Sequence, residues 1–533
     1  AHLQPNACPN LALLLCDLSI IQSAKGLLMH KQNVQHSLNC IISLFAGAIL
    51  PLSFAPLDLY WIAPISLALL LKIILTQKPF HAGLYGLFFG FGLYGVGISW
   101  VFICMHQYGG QGVIVSTIFT FLFVLLLAFF IALRGFCFRK FLPLNTLSSL
   151  LLGFPACWIF VEWITGWLFT GFPWLFLGYS QTSSWLGGYA PLFGVYGASF
   201  MVVLSASLLV IAFFPACIER KHFMQKTLRY LSVLLLLLIW IGGGLLHHVH
   251  WTTPIDKPIK VTLVQGNIPQ HVTWSPDDTL LALQRYNTLT NQHWSSDLIV
   301  WPEAAIPTLQ QEITPYLNSL ATKAKAHRTT ILFGIPVESS DNKFYNAAIA
   351  IGASTGRYDK RHLVPWGEYL PFESIMSKVF NALGAPISLF TQGQPKQKLI
   401  QLNHIYIAPY ICYEIAYAGL VRGDLPQTNL LVTITNDVWF GKSWAAAQHL
   451  QIGQMRSLET GRYTLFVGNN GITAIITPKG NIINRLPRFE TAALTDQVYA
   501  MEGTTPWIFL GTWPIMVGLL LLWLVAVIRQ RYK

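Results

Sequence analysis

The sequence predicts a polytopic α-helical membrane protein that carries one inserted α/β domain. Of its 533 residues, 53% are hydrophobic and only 11% are charged. A soluble globular protein has roughly 25% charged residues, so this chain has too little polar surface to stay in water. Long apolar stretches fill the first half and recur at the carboxyl end, whereas the segment between them has the short alternating runs of an α/β domain.

Eight stretches have the length and apolarity of membrane spans. Seven precede the α/β segment and one follows it. They lie near 38–56, 60–77, 82–104, 113–133, 147–177, 192–214, 230–249 and 508–528. The predicted divisions are an N-terminal extension (1–37), a membrane domain of about seven helices (38–250), an α/β domain (251–507), and a C-terminal span with a basic tail (508–533).

The loops between these spans alternate in charge. Lysine and arginine occur before the first span, after the second, fourth and sixth, and at the carboxyl end, whereas 57–59, 105–112 and 178–191 contain neither. Positive loops mark the cytoplasmic side of a membrane. We therefore expect both termini in the cytoplasm and 251–507 in a periplasm-like compartment. The net charge of +12 comes from these loops and not from a basic stripe with interleaved aromatic residues, so nucleic acid is not an expected partner.

The segment between the spans reads as α/β. Short β-rich runs alternate with polar helical stretches, and about 250 residues are enough for a separate core. Two helices, over 277–290 and 316–327, are each signalled by a capping residue followed by proline. The predicted strands cover 260–266, 298–301, 330–335, 347–352, 405–411, 430–435 and 473–476.

Only one of the eight cysteines, Cys412, lies in the α/β segment. It has no partner there for a disulfide, and no spacing of cysteine and histidine indicates zinc. We therefore predict no metal and no cofactor. The count of cysteines leaves two alternatives for Cys412: an inert buried thiol, or a thiol retained for its reactivity.

Three reactive side chains lie just beyond predicted strands, where α/β sheets place their ligands. They are Glu303, Lys360 and Cys412. A carboxylate that accepts the thiol proton and an ammonium that stabilises an oxyanion are the groups needed for acyl transfer through a thioester. A Cys-His pair is an alternative, since His362 and His404 lie in the same segment.

The residues around these side chains resemble the catalytic motifs of the carbon-nitrogen hydrolase (nitrilase) superfamily. The motifs are Trp301-Pro302-Glu303, the run from Tyr358 to Tyr369, and Ile411-Cys412-Tyr413-Glu414. The flanking spans make the chain similar to one membrane-bound branch, the apolipoprotein N-acyltransferases of bacterial inner membranes. That similarity extends over 38–528 and includes the runs 264–270, 436–441 and 469–473.

The resemblance implies a fold and a reaction. The fold is an α-β-β-α sandwich, with Glu303 as general base, Lys360 as oxyanion stabiliser and Cys412 as nucleophile. The reaction moves an acyl chain from a phospholipid to the α-amino group of the diacylglyceryl-cysteine of an apolipoprotein. Further substrate-binding or supporting positions implied by the resemblance are Trp274, Glu368, Tyr413 and Glu414.

Two other functions compete with this one. A transporter needs polar residues within its spans, and these spans contain little beyond Glu162 and Lys72. A membrane-anchored amidase of the nitrilase type would use the same three residues, with water resolving the thioester. The apolar stretch 372–390 is either an arm that admits acyl chains and excludes water, which favours the acyltransferase, or a segment with an ordinary packing role.

Overall fold

A computed structural model describes residues 32–218, 222–269, 275–371, 374, 377–378 and 390–532. Three parts of the sequence-based prediction lie outside these residues: nearly all of the N-terminal extension, Trp274, and most of the stretch 372–390. The described residues form a helical membrane domain and an α/β domain.

Five described helices are long and apolar enough to cross a membrane, and a sixth span is present if one pair of helices bent by 50° counts as one. Two shorter apolar helices occupy the remaining predicted spans. A polytopic membrane protein is therefore confirmed, while the count of eight spans stays a prediction. The helices before the α/β domain are α1 (Gln32–Ser53), α2 (Ile62–Ile74), α3 (Pro79–Gly97), α4 (Trp100–Tyr108), α5 (Val113–Phe141), α6 (Ser149–Thr165), α7 (Trp185–Phe213) and α8 (Met224–His248).

Small residues allow α3 and α5 to pack closely. A Cβ at Gly90 would lie 2.6 Å from the Cα of Ala128, and one at Gly86 would lie 2.8 Å from the carbonyl oxygen of Ile131. Glycines on one helix face let backbones approach within a membrane, where van der Waals packing drives association. The glycines of α3 therefore have a packing role.

The α/β domain contains two six-stranded sheets. In each, three central strands run parallel and the outer strands are antiparallel. The first sheet has the order β12-β1-β2-β3-β4-β5, with β1 (Thr252–Gln265), β2 (Leu298–Val300), β3 (Thr330–Glu338), β4 (Phe344–Gly352), β5 (Gly356–Asp359) and β12 (Ala492–Gly503). The second has the order β11-β10-β9-β8-β7-β6, with β6 (Ile400–Leu402), β7 (Ile405–Ile411), β8 (Leu430–Thr435), β9 (Thr464–Gly468), β10 (Ala474–Ile476) and β11 (Ile482–Arg485).

Helices cover the outer faces of both sheets, so the domain is the expected α-β-β-α sandwich. One apolar core lies between the sheets, and a second lies between the first sheet and its helices. A third core packs the outer face of the second sheet and continues into the membrane domain. The remaining helices are α9 (Pro276–Asn291), α10 (Thr314–Ala326), α11 (Ala418–Gly423), α12 (Ala445–Thr460), α13 (Pro506–Leu510) and α14 (Trp513–Arg531).

Helix α12 lies between the second sheet and the membrane domain. Its 16 residues include 14 that are buried. Gln448 Oε1 accepts hydrogen bonds from the indole nitrogens of Trp100 (3.2 Å) and Trp174 (2.7 Å), both in the membrane domain. A helix buried on all sides has no apolar stripe, which explains why the sequence did not indicate α12 as a helix.

Candidate active site

The three reactive side chains come from separate strand ends. Glu303 stands in the turn after β2, Lys360 directly follows β5, and Cys412 directly follows β7. β5 is an antiparallel edge strand that was not among the predicted strands. A Cβ at Gly334 of β3 would lie 2.6 Å from the Cα of Glu303, so glycine is needed there for the Glu303 turn to pack against β3.

Lys360 lies between two carboxylates. Its Nζ is 3.3 Å from Glu303 Oε1 and 2.8 Å from Glu368 Oε1. Asn346 Nδ2 donates to the same two oxygen atoms, at 2.8 and 2.9 Å. Burial alone would lower the pKa of Lys360, but the charges of Glu368 and Glu303 outweigh it and raise this pKa above its ordinary value. Lys360 is therefore a fixed ammonium group.

Backbone amides hold the other carboxylate oxygens. The amide of Asn436 donates to Glu303 Oε2 at 2.9 Å, and the amide of Val364 donates to Glu368 Oε2 at 2.7 Å. Each carboxylate is thus held at both oxygens. Glu368, one of the supporting positions implied by the resemblance, forms an ion pair with Lys360.

Cys412 has a strained backbone and a half-buried side chain. Its φ of +55° lies in the left-handed region, which non-glycine residues adopt at a cost and mostly at functional sites. Burial raises the pKa of its thiol well above the ordinary value; the charge of Glu303 adds to this, and that of Lys360 opposes it. The resting group is a neutral thiol, close enough to both charges to respond to them.

Glu414 joins the nucleophile turn (Cys412–Ala416), named for the nucleophile predicted at Cys412, to the segment that follows β5. It accepts hydrogen bonds from the amides of Ile411 (2.8 Å), Arg361 (2.6 Å) and His362 (3.0 Å), and from the hydroxyl of Tyr358. Burial raises the pKa of Glu414, and these amides oppose that change. Glu414 is therefore placed to orient the turn.

Tyr413 connects the turn to the membrane domain. Its hydroxyl donates to the carbonyl of Gly171 at 3.2 Å, and the hydroxyl of Tyr417 donates to the same carbonyl at 3.1 Å. Phe172 and Trp174 lie beside the Tyr413 ring. The loop between α6 and α7 thus packs directly against the nucleophile turn.

The two histidines of the Cys-His alternative lie in different surroundings. His404 pairs with Asp256 at 2.7 Å, and both side chains are at least 60% exposed. His362 packs against Tyr417, with ring centroids 3.6 Å apart. Burial, followed by the charge of Lys360, lowers the pKa of His362 to about 4, so its ring is neutral near pH 7.

Three site residues were not anticipated from the sequence. Asn346 lies within β4, where no pattern marks it. Asp437 follows the carboxyl end of β8, so the strand-end rule could have found it. His449, on α12, bonds to the carbonyl of Cys412 at 3.1 Å. Within the described ranges, no group of three His, Cys, Asp or Glu side chains is arranged to hold a metal ion.

The sandwich and its clustered glutamate, lysine and cysteine define a membrane-embedded enzyme of the carbon-nitrogen hydrolase superfamily. Residues 260–503 match the family model "Carbon-nitrogen hydrolase", and residues 46–208 match "Apolipoprotein N-acyltransferase N-terminal domain". The carbon-nitrogen hydrolase from Helicobacter pylori G27, a solved structure, is 12% identical, covers 46% of this chain and 89% of its own, and has a TM-score of 0.35. The assignment therefore rests on the sequence matches.

Full-length relatives identify the branch. The apolipoprotein N-acyltransferase of Methylococcus capsulatus is 41% identical over 476 residues, which are 89% of this chain and 93% of that protein. That of Coxiella burnetii is 40% identical over 490 residues, 91% of this chain and 99% of that protein. The chain belongs to the apolipoprotein N-acyltransferase family, whose members are acyltransferases.

Proposed function

We propose that the enzyme transfers an acyl chain from a phospholipid, through a thioester on Cys412, to the α-amino group of the N-terminal diacylglyceryl-cysteine of an apolipoprotein. This is the last step of lipoprotein maturation, and it takes place on the periplasmic face of a bacterial inner membrane. The observation that carries the proposal is the buried Glu303–Lys360–Glu368 network, which lies beside a cysteine whose turn packs on the membrane domain.

The first half-reaction forms the acyl-enzyme. Glu303 accepts the proton of the Cys412 thiol as sulfur attacks an ester carbonyl of the phospholipid. The ammonium of Lys360 stabilises the oxyanion of the tetrahedral intermediate. The ester C–O bond then breaks, and the alkoxide of the departing lysophospholipid takes the proton held by Glu303.

The second half-reaction forms the amide. The α-amine of the acceptor attacks the thioester carbonyl while Glu303 accepts an amine proton, and Lys360 again stabilises the oxyanion. The C–S bond breaks, and the Cys412 sulfur regains its proton from Glu303. A thioester gives up its acyl group to an amine more readily than an oxygen ester, which is a chemical reason for cysteine at this position.

Glu368 has a separate part in this cycle. While Glu303 carries the transferred proton, that residue no longer offers Lys360 a negative charge. Glu368, 2.8 Å from Lys360 Nζ, continues to do so and keeps the ammonium charged and in place. We therefore assign Glu368 to positioning Lys360.

The surroundings of the nucleophile support a lipid as donor. The loop that contacts Tyr413 also carries Trp167 and Phe169, which are 51% and 69% exposed. Exposed aromatic side chains beside a membrane domain are typical of the bilayer interface. An acyl chain can thus reach the site from the lipid phase, which an amidase with a soluble substrate does not need.

The test uses the full-length enzyme in detergent with phospholipid and a synthetic diacylglyceryl-cysteine peptide. The expected products are a peptide with a third acyl chain and an equal amount of lysophospholipid, measured by mass spectrometry. A peptide with an acetylated α-amine is the control and should gain no acyl group. Free fatty acid in place of acylated peptide would contradict the proposal and support the membrane-anchored amidase.

A further inference from the structure

Asp437 and His449 form a buried acid–histidine pair that is hydrogen-bonded to the nucleophile turn. This pair has no part in the reaction cycle proposed for the enzyme. The carbonyl oxygen of Cys412 accepts a hydrogen bond from His449 Nε2 at 3.1 Å. His449 Nδ1 lies 3.2 Å from Asp437 Oδ1, and the two side chains are 1% and 0% exposed. The bond therefore supports a residue whose φ of +55° is costly.

The hydrogen bonds fix the number of protons on this pair. A carbonyl oxygen only accepts, so Nε2 of His449 carries hydrogen. Nδ1 and Asp437 Oδ1 then share one further proton, because two acceptors without a hydrogen between them would repel each other. Asp437 Oδ1 also accepts from the Thr435 hydroxyl at 2.7 Å. The pair thus holds one proton more than a neutral imidazole beside an ionised carboxylate.

Neighbouring charges place this proton on His449. The guanidinium of Arg488 interacts electrostatically with Asp437, which favours the ionised carboxylate. The charge of Asp437 also raises the pKa of the Cys412 thiol, and an imidazolium beside Asp437 offsets that effect. The other charged groups that act on the thiol are Glu303 and Lys360.

Aromatic rings from both domains surround His449. Phe466 of β9 lies 5.1 Å from it between ring centroids, and Trp174 of the membrane domain lies 5.7 Å from it. Trp174 thus brings the membrane domain into contact with the imidazole ring.

We propose that Asp437 and His449 form a charged positioning pair for acyl transfer, which fixes the peptide group between Cys412 and Tyr413. The C=O and N–H of a trans peptide point in opposite directions. A carbonyl held toward α12 therefore turns the amide of Tyr413 away from α12. The pair also cancels the charge of Asp437 beside the thiol. This role in transfer rests on the proposed function, whereas the protonation of the pair does not.

The first experiment measures the pH midpoint of Cys412 alkylation by iodoacetamide, read from the mass of the Cys412 peptide of the full-length enzyme. His449→Phe leaves Asp437 without its adjacent imidazolium and should raise this midpoint by about one pH unit. The double variant His449→Phe/Asp437→Asn removes both charges and should restore the wild-type midpoint. Transfer activity is not needed for this reading.

The second experiment measures the acyl-transfer rate of the same variants. His449→Phe and the double variant lose the carbonyl anchor and should fall about tenfold to hundredfold. In Asp437→Asn, the side-chain amide can donate a hydrogen bond to Nδ1 of a neutral His449. The Nε2–H of His449 then keeps its bond to the carbonyl of Cys412. The transfer rate of this variant should therefore stay within about threefold of wild type. The control is His247→Phe, which removes a similar bond to the carbonyl of Ser184, 2.9 Å long, and should leave both readings unchanged.

Two results would overturn the proposal: an unchanged alkylation midpoint in His449→Phe, or a transfer loss in Asp437→Asn as large as that in His449→Phe. Shifted midpoints in an enzyme that transfers no acyl group even as wild type would refute the proposed function and leave the charged pair standing. If His449→Phe does not fold, His449→Gln replaces it. This variant also leaves Asp437 without an adjacent imidazolium, so the alkylation midpoint should rise, and an unchanged midpoint would contradict the proposal.

Discussion

Lys360 is the side chain on which the charges of the site converge. A buried lysine needs partners for its charge, and here Glu303, Glu368 and Asn346 surround its ammonium group or the oxygens that bind it. Loss of either carboxylate would leave the buried ammonium of Lys360 with only one negative charge beside it. The arrangement thus explains why one lysine is paired with two glutamates when the chemistry itself needs a single base.

Glu303, Lys360 and Cys412 should behave as one catalytic unit. Replacing any one, as in Glu303→Gln, Lys360→Met or Cys412→Ala, should lower the transfer rate by at least about 10³-fold. A second replacement should cost little more, because the remaining members cannot act without the first. Single-turnover rates of the three single and three double variants check this, and losses that multiply would show that the residues act independently.

The sequence predicted most of the residues of the candidate site. Glu303, Lys360, Glu368, Tyr413, Cys412 and Glu414 were all singled out, and the structure brings them together at one end of the two sheets; their roles remain proposals. Asn346 and His449 were not found, because an interior strand residue and a histidine on an all-buried helix carry no local signal. Their function depends on contacts with residues far away in the chain.

Helix α12 connects the candidate active site to the membrane domain. Its His449 supports the nucleophile turn, its Gln448 binds two tryptophans of the membrane domain, and its Glu459 Oε1 accepts from the amide of Val195 at 2.7 Å. Gly194, with φ +67°, breaks helix α7 at this point. The carboxylate of Glu459 therefore caps the second half of a membrane helix.

Gln448→Leu should weaken the docking of the two domains. It would leave the indole N–H groups of Trp100 and Trp174 buried without partners, at about 1–3 kcal/mol each. The thermal unfolding midpoint should fall, and proteolysis between the domains should become faster. Gln454→Leu is the matched control on the same helix, since Gln454 bonds only to the carbonyl of Gly480 in the α/β domain, and it should leave the proteolysis pattern unchanged.

Glu459 should make stability depend on pH. Burial raises its pKa from 4.5 to about 7, against the opposing charge of Arg456. A carboxyl group whose pKa is higher in the folded than in the unfolded state contributes fully to stability at pH values below its unfolded-state pKa. That contribution is lost as pH rises through its folded-state pKa of about 7. The unfolding midpoint of the wild type should therefore fall more between pH 6 and pH 8 than that of Glu459→Gln. Parallel curves for the two proteins would contradict this origin of the pH dependence.

Local sequence patterns predicted most, but not all, of the helices and strands of the α/β domain. The seven predicted strands and both predicted helices are present in the structure. The edge strands β5, β6 and β11 are only three or four residues long and contain polar side chains. They therefore show neither an alternating pattern nor the continuous apolar run that marks the equally short β2 and β10. α12 lacked periodicity because both of its faces are buried.

The membrane domain and the α/β domain share a continuous apolar core. Buried side chains from the membrane helices, α12 and the outer face of the second sheet form one apolar cluster. The α/β domain therefore sits on the membrane domain as one packed unit, with the nucleophile turn at their contact. A nearby lipid phase follows from this arrangement and not from the α/β fold alone.

Orientation in the membrane stays a prediction from loop charge. A reporter that is active only outside the cytoplasm should be active when fused after Trp251 and inactive when fused at Lys533. A reporter that fluoresces only in the cytoplasm should give the opposite pattern. An external carboxyl terminus, found together with an external Trp251, would contradict the predicted count of eight spans.

A covalent acyl-enzyme on Cys412 is the key intermediate of the proposed reaction, and the intact mass of the protein reveals whether it forms. Incubated with phospholipid alone, the enzyme should gain the mass of one acyl chain on the Cys412 peptide and release one lysophospholipid. Hydroxylamine or the diacylglyceryl-cysteine peptide should then remove that chain, and Cys412→Ala should gain none. An unmodified Cys412 in enzyme that nevertheless acylates the peptide would contradict the thioester mechanism.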